Sequence, residues 1–147
     1  MATSKRIRKT IGLTEFISIP EAGISNLPCK VDTGADSCAI HCERARIREV
    51  DGEEYLVFKL LDKKHPLYSD QELCIKDFKE MRVKSSFGDY EYRYQVRLNF
   101  RIFNKMYDAT FNLSNRKSMK YPVLLGRKFL ANNFIVDVSK RNISQNK

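Results

Sequence analysis

The chain has 147 residues, 42% apolar and 31% charged, with 27 Lys and Arg against 18 Asp and Glu for a formal net charge of +9. This length and apolar share fit one folded domain and exclude a disordered chain, so residues 1–147 are read as a single domain with flexible ends at about 1–9 and 141–147. No run approaches the roughly 18 apolar residues of a membrane span, and the charged start lacks a signal peptide's apolar stretch, so a soluble, cytoplasmic protein with no membrane partner is expected.

In chain order, Leu27, Cys29 and Val31 alternate with Pro28, Lys30 and Asp32, which predicts a short strand running into a glycine turn. Asp51-Gly52 predicts a hairpin between residues 45–50 and 53–61. Tyr94, Val96, Leu98, Phe100 and Ile102 share one face of a strand, with Arg93, Gln95, Arg97, Asn99 and Arg101 on the other. A turn at Asn104-Lys105 then leads into a second alternating run, Tyr107, Ala109, Phe111 and Leu113. Val123-Leu124-Leu125 suits a strand buried on both faces. Residues 127–132 have room for one or two helical turns, and 134–138 form a last strand. The sum is an all-β domain with one short C-terminal helix.

The chemistry centres on Asp32-Thr33-Gly34-Ala35. Asp32 supplies a carboxylate at a strand end, where it can face a cleft. The Thr33 hydroxyl can bond across to a partner backbone, and Gly34 lets another backbone approach without a Cβ in the way. Ala35 and Ser37 suit a cleft wall. A lone carboxylate, with an ordinary pKa of about 3.9, is ionised at neutral pH and has no acid partner. Two close carboxylates share one proton and give a base and an acid at one water. The sequence holds a single Asp-Thr-Gly, so the second must come from another copy, and a two-fold homodimer with a peptide substrate follows.

Other chemistries find less support. His-Glu-x-x-His and a Gly-rich phosphate loop are absent, so neither a metal nor ATP is expected, and no cofactor is assigned. Zinc ligands would have to come from Cys29, Cys38, Cys42, Cys74, His41 and His65. Cys38 and Cys42 sit four apart with no second matching pair, so the cysteines read as reduced, small core residues and His41 as a polar contact near the cleft. Basic residues are scattered apart from Lys5, Arg6, Arg8 and Lys9, and no nucleic-acid motif accompanies them, so no nucleic-acid partner is expected. The basic surface favours acidic substrates or partners. A module that binds acidic segments without efficient turnover is the alternative to a protease.

These residues resemble the retropepsins, which carry Asp-Thr-Gly-Ala near the start and an apolar–apolar–Gly-Arg segment near the end. Here the segments are Val31-Asp32-Thr33-Gly34-Ala35-Asp36 and Val123-Leu124-Leu125-Gly126-Arg127. The chain most resembles the bacterial retropepsin-like family often labelled putative ATP-dependent zinc proteases. The likeness runs over about residues 10–139 and includes Ile11-Gly12 with Glu15, Pro20-Glu21, His41, Ser85-Ser86 with Gly88, Arg93 and Val136-Asp137. It implies a retropepsin-like β-barrel and an aspartic endopeptidase. Asp32 would activate the water, Thr33 interlock the copies and Gly34 touch the substrate. Ala35 and Asp36 fall on the substrate side, and Asp36 pairs with Arg127, which with Gly126 supports the site. A flap is implied at residues 83–93, with Ser85, Ser86, Phe87 and Gly88 near its tip. The segment between Asp32 and that flap is longer than in viral retropepsins.

Overall fold

Along residues 96–102 every second side chain is apolar. Val96, Leu98, Phe100 and Ile102 are buried, and Arg97, Asn99 and Arg101 are exposed. They lie on the longest strand of a computed structural model that describes residues 7–84 and 87–146. The strands are β1 (Lys9–Ile11), β2 (Thr14–Ile19), β3 (Ile24–Val31), β4 (Cys38–His41), β5 (Ala45–Val50), β6 (Glu53–Lys59), β7 (Glu72–Ile75), β8 (Phe78–Lys84), β9 (Tyr90–Ile102), β10 (Lys105–Ser114), β11 (Val123–Leu125) and β12 (Phe134–Val136). Among the described residues a single α-helix, α1 (Arg127–Asn133), packs near the end.

Six strands close a barrel in the order β10-β4-β11-β3-β2-β9, with β9 returning to β10 and β8 added outside β9. Closure leaves these strands without the unpaired edges that a flat sheet exposes. Phe100 and Phe111 fill the barrel, ring centroids 5.5 Å apart. Phe129 of α1 reaches Phe100 at 5.1 Å, which fastens the helix to the barrel. The fold is thus all-β with one short helix, as the sequence implies.

The additional length before the flap folds as a separate three-stranded sheet, β5-β6-β7. Asp51 and Gly52, both at positive φ (53° and 82°), make its first turn. The β9–β10 turn falls one residue earlier than the sequence reading. Phe103 and Asn104 take positive φ (54° and 60°), and Lys105 already pairs with Ile102. A left-handed Phe is costly. Contacts offset that cost: the Phe103 ring lies 5.9 Å from that of Phe134, and Lys9 Nζ sits 4.7 Å over it.

Both ends of the described chain are tied to the barrel. β1 pairs in parallel with β12, so Lys9 belongs to a strand. Residues 1–6 and 147, also read as loose, lie outside the described residues. Residues 141–146, read from the sequence as a loose end, dock along β2. Asn142 N–H donates to Thr14 O (2.8 Å), and Thr14 Oγ1 bonds Asn142 Oδ1 (2.7 Å). The fully buried Glu15 carboxylate accepts Gly12 N–H through Oε2 and Ser144 N–H through Oε1, each at 2.8 Å.

Each buried donor left without an acceptor costs about 1–3 kcal/mol. Glu15→Ala strands two donors, so a stability loss of about 3 kcal/mol is expected in urea unfolding, together with faster proteolysis after residue 140. Glu15→Gln, with one acceptor oxygen, should fall between Glu15→Ala and the parent.

Candidate active site

Asp32 lies where β3 ends beside β11. The two strands run parallel with Leu125 opposite Val31, and Asp32 N–H continues the ladder to Leu125 O at 2.9 Å. The chain then turns, with Ala35 N–H on Asp32 O (3.2 Å) and Gly34 N–H on Asp32 Oδ1 (3.0 Å). The second bond fixes one carboxylate oxygen and leaves Oδ2 for other partners. Asp32 and Ala35 are half-buried, while Thr33, Gly34 and Asp36 are exposed. A Cβ on Gly34 would sit 3.3 Å from Asp32 Oδ1, so a larger residue would crowd the carboxylate.

The late Gly-Arg segment cradles this loop. A Cβ on Gly126 would stand 2.5 Å from Ser37 O and 3.0 Å from Ala35 O, so only glycine passes beneath. The N–H groups of Arg127 and Lys128 donate to Ala35 O (2.8 Å) and Asp36 O (3.1 Å). Arg127 Nη1 reaches Thr33 O at 3.1 Å, and its Nη2 reaches Asp36 Oδ1 at 3.3 Å. Lys128 Nζ also meets Asp36, at 3.3 Å. The structure therefore brings Asp36, Gly126 and Arg127 together around the Asp32 loop. Asp36 is occupied by Arg127 and Lys128, which makes it a brace of the loop.

The flap candidates belong to the hairpin of β8 and β9, whose last pair is Lys84 with Tyr90. Its arms extend back to Phe78, beyond the 83–93 span of the sequence reading. Phe87 is 91% exposed and Gly88 has φ +91°, whereas Ser85 and Ser86 lie outside the described residues. Tyr90 and Tyr92 are exposed too, so the far end of the hairpin presents aromatic surface.

The partnership of His41 with Asp62 has no local signal in the sequence. The polar contact read for His41 lies inside the protein. His41 is buried, and its Nε2 lies 2.8 Å from Oδ2 of buried Asp62. Asp62 Oδ1 accepts Lys64 N–H (2.9 Å), and His41 Nδ1 accepts the backbone N–H of Arg116 (2.8 Å). Because Nδ1 accepts, Nε2 carries the hydrogen and donates to Asp62. Burial alone would raise the Asp62 carboxyl, but the bonds from His41 and Lys64 outweigh it and hold the group below its ordinary range.

Cys29, Cys38 and Cys42 are buried, as read, while Cys74 is exposed. Burial pushes the Cys38 and Cys42 thiols up to about 11 and raises Cys29 as well, so all three are protonated core groups at neutral pH. A groove of about 1220 Å³ opens between the β5–β7 sheet and the β9 arm. Arg44, Lys63, Lys64 and Lys117 line it, and among the described residues none has a carboxylate at ion-pair distance. Among the described residues, no helix is long and apolar enough to cross a membrane.

The model of the RimB-like family, described as retropepsin-like aspartic endopeptidase RimB, matches residues 10–147. A probable alpha-L-glutamate ligase of Desulfotalea psychrophila is 34% identical over 134 residues, covering 88% of this chain and 28% of that protein. A protein of the same name from Shewanella halifaxensis is 30% identical over 134 residues, with the same coverage. The chain thus spans little more than a quarter of the length of these curated relatives. Among solved structures, Lpg0085 of Legionella pneumophila, a protein of unknown function, matches with TM-score 0.69 and 27% identity over 92% of this chain and 98% of that one.

Two outcomes follow from this geometry. Gly126→Ala forces the Asp32 loop away from β11, and a stability loss of about 3 kcal/mol is expected in chemical denaturation. For Asp62, the lowered carboxyl means that the unfolded chain binds the proton more readily. Its stabilisation is complete above the unfolded value of about 4 and is lost as pH falls through the folded value. Asp62→Asn should therefore flatten the decline of stability as pH falls below about 4, measured by urea titration at each pH.

Proposed function

The chain belongs to the RimB-like family of retropepsin-like aspartic endopeptidases, and from that membership we propose that it hydrolyses peptide bonds with a water held between two Asp32 carboxylates of a homodimer. The observation that carries this reading is the Asp32 loop. Its carboxylate is oriented by Gly34 N–H and braced from beneath by Gly126 and Arg127. The exposed Thr33 and Gly34 leave room for a second copy of the loop. Ile135 and Val138, 58% and 69% exposed on and after β12, give apolar surface beside the paired chain ends for a twin subunit to cover.

In the dimer the two carboxylates share one proton. The ionised one takes a proton from water as the water oxygen attacks the peptide carbonyl, and the protonated one gives its proton to the carbonyl oxygen. The tetrahedral diol then collapses, the amide nitrogen receives a proton, and the C–N bond breaks. No covalent enzyme intermediate forms. The aromatic end of the β8–β9 hairpin supports the flap role, closing over the peptide and excluding water.

Acidic segments are the proposed substrate class. The net charge of +9 and the excess of basic over acidic side chains along the groove support it. The name of the curated relatives, probable alpha-L-glutamate ligase, is in keeping with it. The same cations favour a second reading, a module that holds acidic segments without cutting them. Three buried thiols suit a reducing compartment, which supports a cytoplasmic setting.

Asp32→Asn should abolish cleavage of a peptide mixture, read by mass spectrometry, while ultracentrifugation still finds the dimer. Retained cleavage would remove Asp32 from the mechanism, and a monomer at all concentrations would remove the shared site. Acidic peptides should be cut faster than neutral ones at low salt, with the advantage shrinking as ionic strength rises. Uncut but tightly held acidic peptides would favour the second reading.

A further inference from the structure

β8 (Phe78–Lys84) ends its sheet, with β9 on one side and, among the described residues, no strand on the other. It holds no proline, and every side chain described from Lys79 to Lys84 is exposed. An open edge of this kind leaves alternate N–H and C=O groups for another strand. The occupant follows from the charges. When two copies of one strand pair antiparallel about a two-fold axis, opposed residues share a face of the sheet, so the axis must pass between one residue and its twin. An axis at Lys79, Glu80, Arg82 or Lys84 sets two like charges together, and an axis at Val83 sets Arg82 against the partner's Lys84. An axis at Phe78 pairs that residue alone within the strand. An axis at Met81 pairs the whole strand with no like charges opposed. Glu80 then meets Arg82 of the partner subunit, twice by symmetry. Lysines guard many open edges against pairing, but here Lys79 falls opposite the partner's Val83 and Lys84 opposite the partner's Phe78.

The two charged side chains are already held on one face. Glu80 accepts the Tyr94 hydroxyl at 2.9 Å, and the Arg82 guanidinium lies 4.4 Å over the Tyr90 ring. Among the described residues neither has an ion-pair partner within its own chain. Ordering them before association lowers its cost. β5 is the contrast. It too is the edge of a sheet, but like charges are opposed at every axis from Arg46 to Glu49. We propose that two copies of this chain pair through β8, antiparallel about Met81, and join their β8–β9 hairpins into one continuous sheet. β8 adjoins β9 and not β3, β11 or α1, which hold the Asp32 loop. The contact is therefore additional to the Asp32 pairing and holds with or without hydrolysis.

The test places cysteines in a Cys74→Ser background, because Cys74 is exposed and the other three thiols are buried. Directly opposed antiparallel residues have Cα atoms about 4.5 or 5.5 Å apart, within the reach of a disulfide. Met81→Cys should link to its twin under copper-phenanthroline oxidation in air, giving a band of doubled mass on a denaturing gel that dithiothreitol removes. Glu80→Cys and Arg82→Cys would each lie roughly 8 Å from their own twins, too far for a disulfide. Neither alone should link, whereas a mixture of the two should. The gel reads the link whatever other dimer the chain forms. Adding Arg82→Glu to the Met81→Cys chain should slow linking by about tenfold, since two attractive pairs become repulsive. Adding Glu80→Arg as well should restore the rate. A Met81→Cys chain that stays single overturns the proposal. So does a Glu80→Cys chain that links by itself as fast as Met81→Cys, since chance collision would then explain both. An exchanged pair that links no faster than Arg82→Glu alone overturns the register about Met81.

Discussion

The site depends on one close approach, the passage of Gly126 beneath the loop of residues 32–37. With 2.5 Å between Ser37 O and the place of a Cβ, the two segments fit only if one lacks a side chain. That contact lets β11 lie beside β3 to its last residue, so that Leu125 O receives Asp32 N–H. It also sets the start of α1 so that its first two N–H groups, which have no acceptor within the helix, find Ala35 O and Asp36 O. Arg127 follows from the same placement, as its guanidinium reaches Thr33 O only because its backbone is already fixed below the loop. The loop that carries the carboxylate is thus held at Thr33 O, Ala35 O and Asp36 O, and Gly34 N–H fixes one carboxylate oxygen, which is the rigidity that a positioned acid or base requires.

The parts of the fold legible in the sequence are those where one physical period dominates. β9 and β10 bury one face and expose the other, so their alternation survives any detail of packing. The Asp51-Gly52 turn and the apolar β11 are similarly local. β2 and β4 escaped because they bury polar groups, Thr14 and Glu15 in one and His41 in the other, whose partners are distant in sequence. Glu15 meets Ser144 across 129 positions, and His41 meets Asp62 across 21. β1 is a strand only because β12 lies beside it. The Phe103 turn was missed for a different reason: its conformation is stabilised by Phe134 and Lys9, not by turn chemistry.

The candidate site divides the same way. Asp32, Gly34, Gly126 and Arg127 carry a motif because backbone geometry demands those residue types at those places. Asp62 and Arg116 are ordinary charged residues in polar segments, and only the folded chain brings them to His41. Motifs therefore report the part of a site made by the backbone, and they are silent about the part made by long side chains.

That distinction bears on the inserted β5–β7 sheet. A surface insertion free of the site would meet the barrel through apolar contacts alone. This one is followed by Asp62, whose carboxylate enters the barrel wall and bonds His41, and Leu61 N–H donates to His41 O at 2.9 Å. The same turn places Lys63 and Lys64 on the groove, with Lys64 N–H on Asp62. One short segment thus joins the basic groove, the buried couple and the loop that carries Arg116. A shift of the sheet would be felt in the Arg116 loop, because Asp62 and His41 link the two through hydrogen bonds and Leu61 is bonded to the His41 backbone. In the proposed protease, the insertion would set the shape of the cleft wall as well as lend charge to it, which gives a mechanical reason for its presence before the flap.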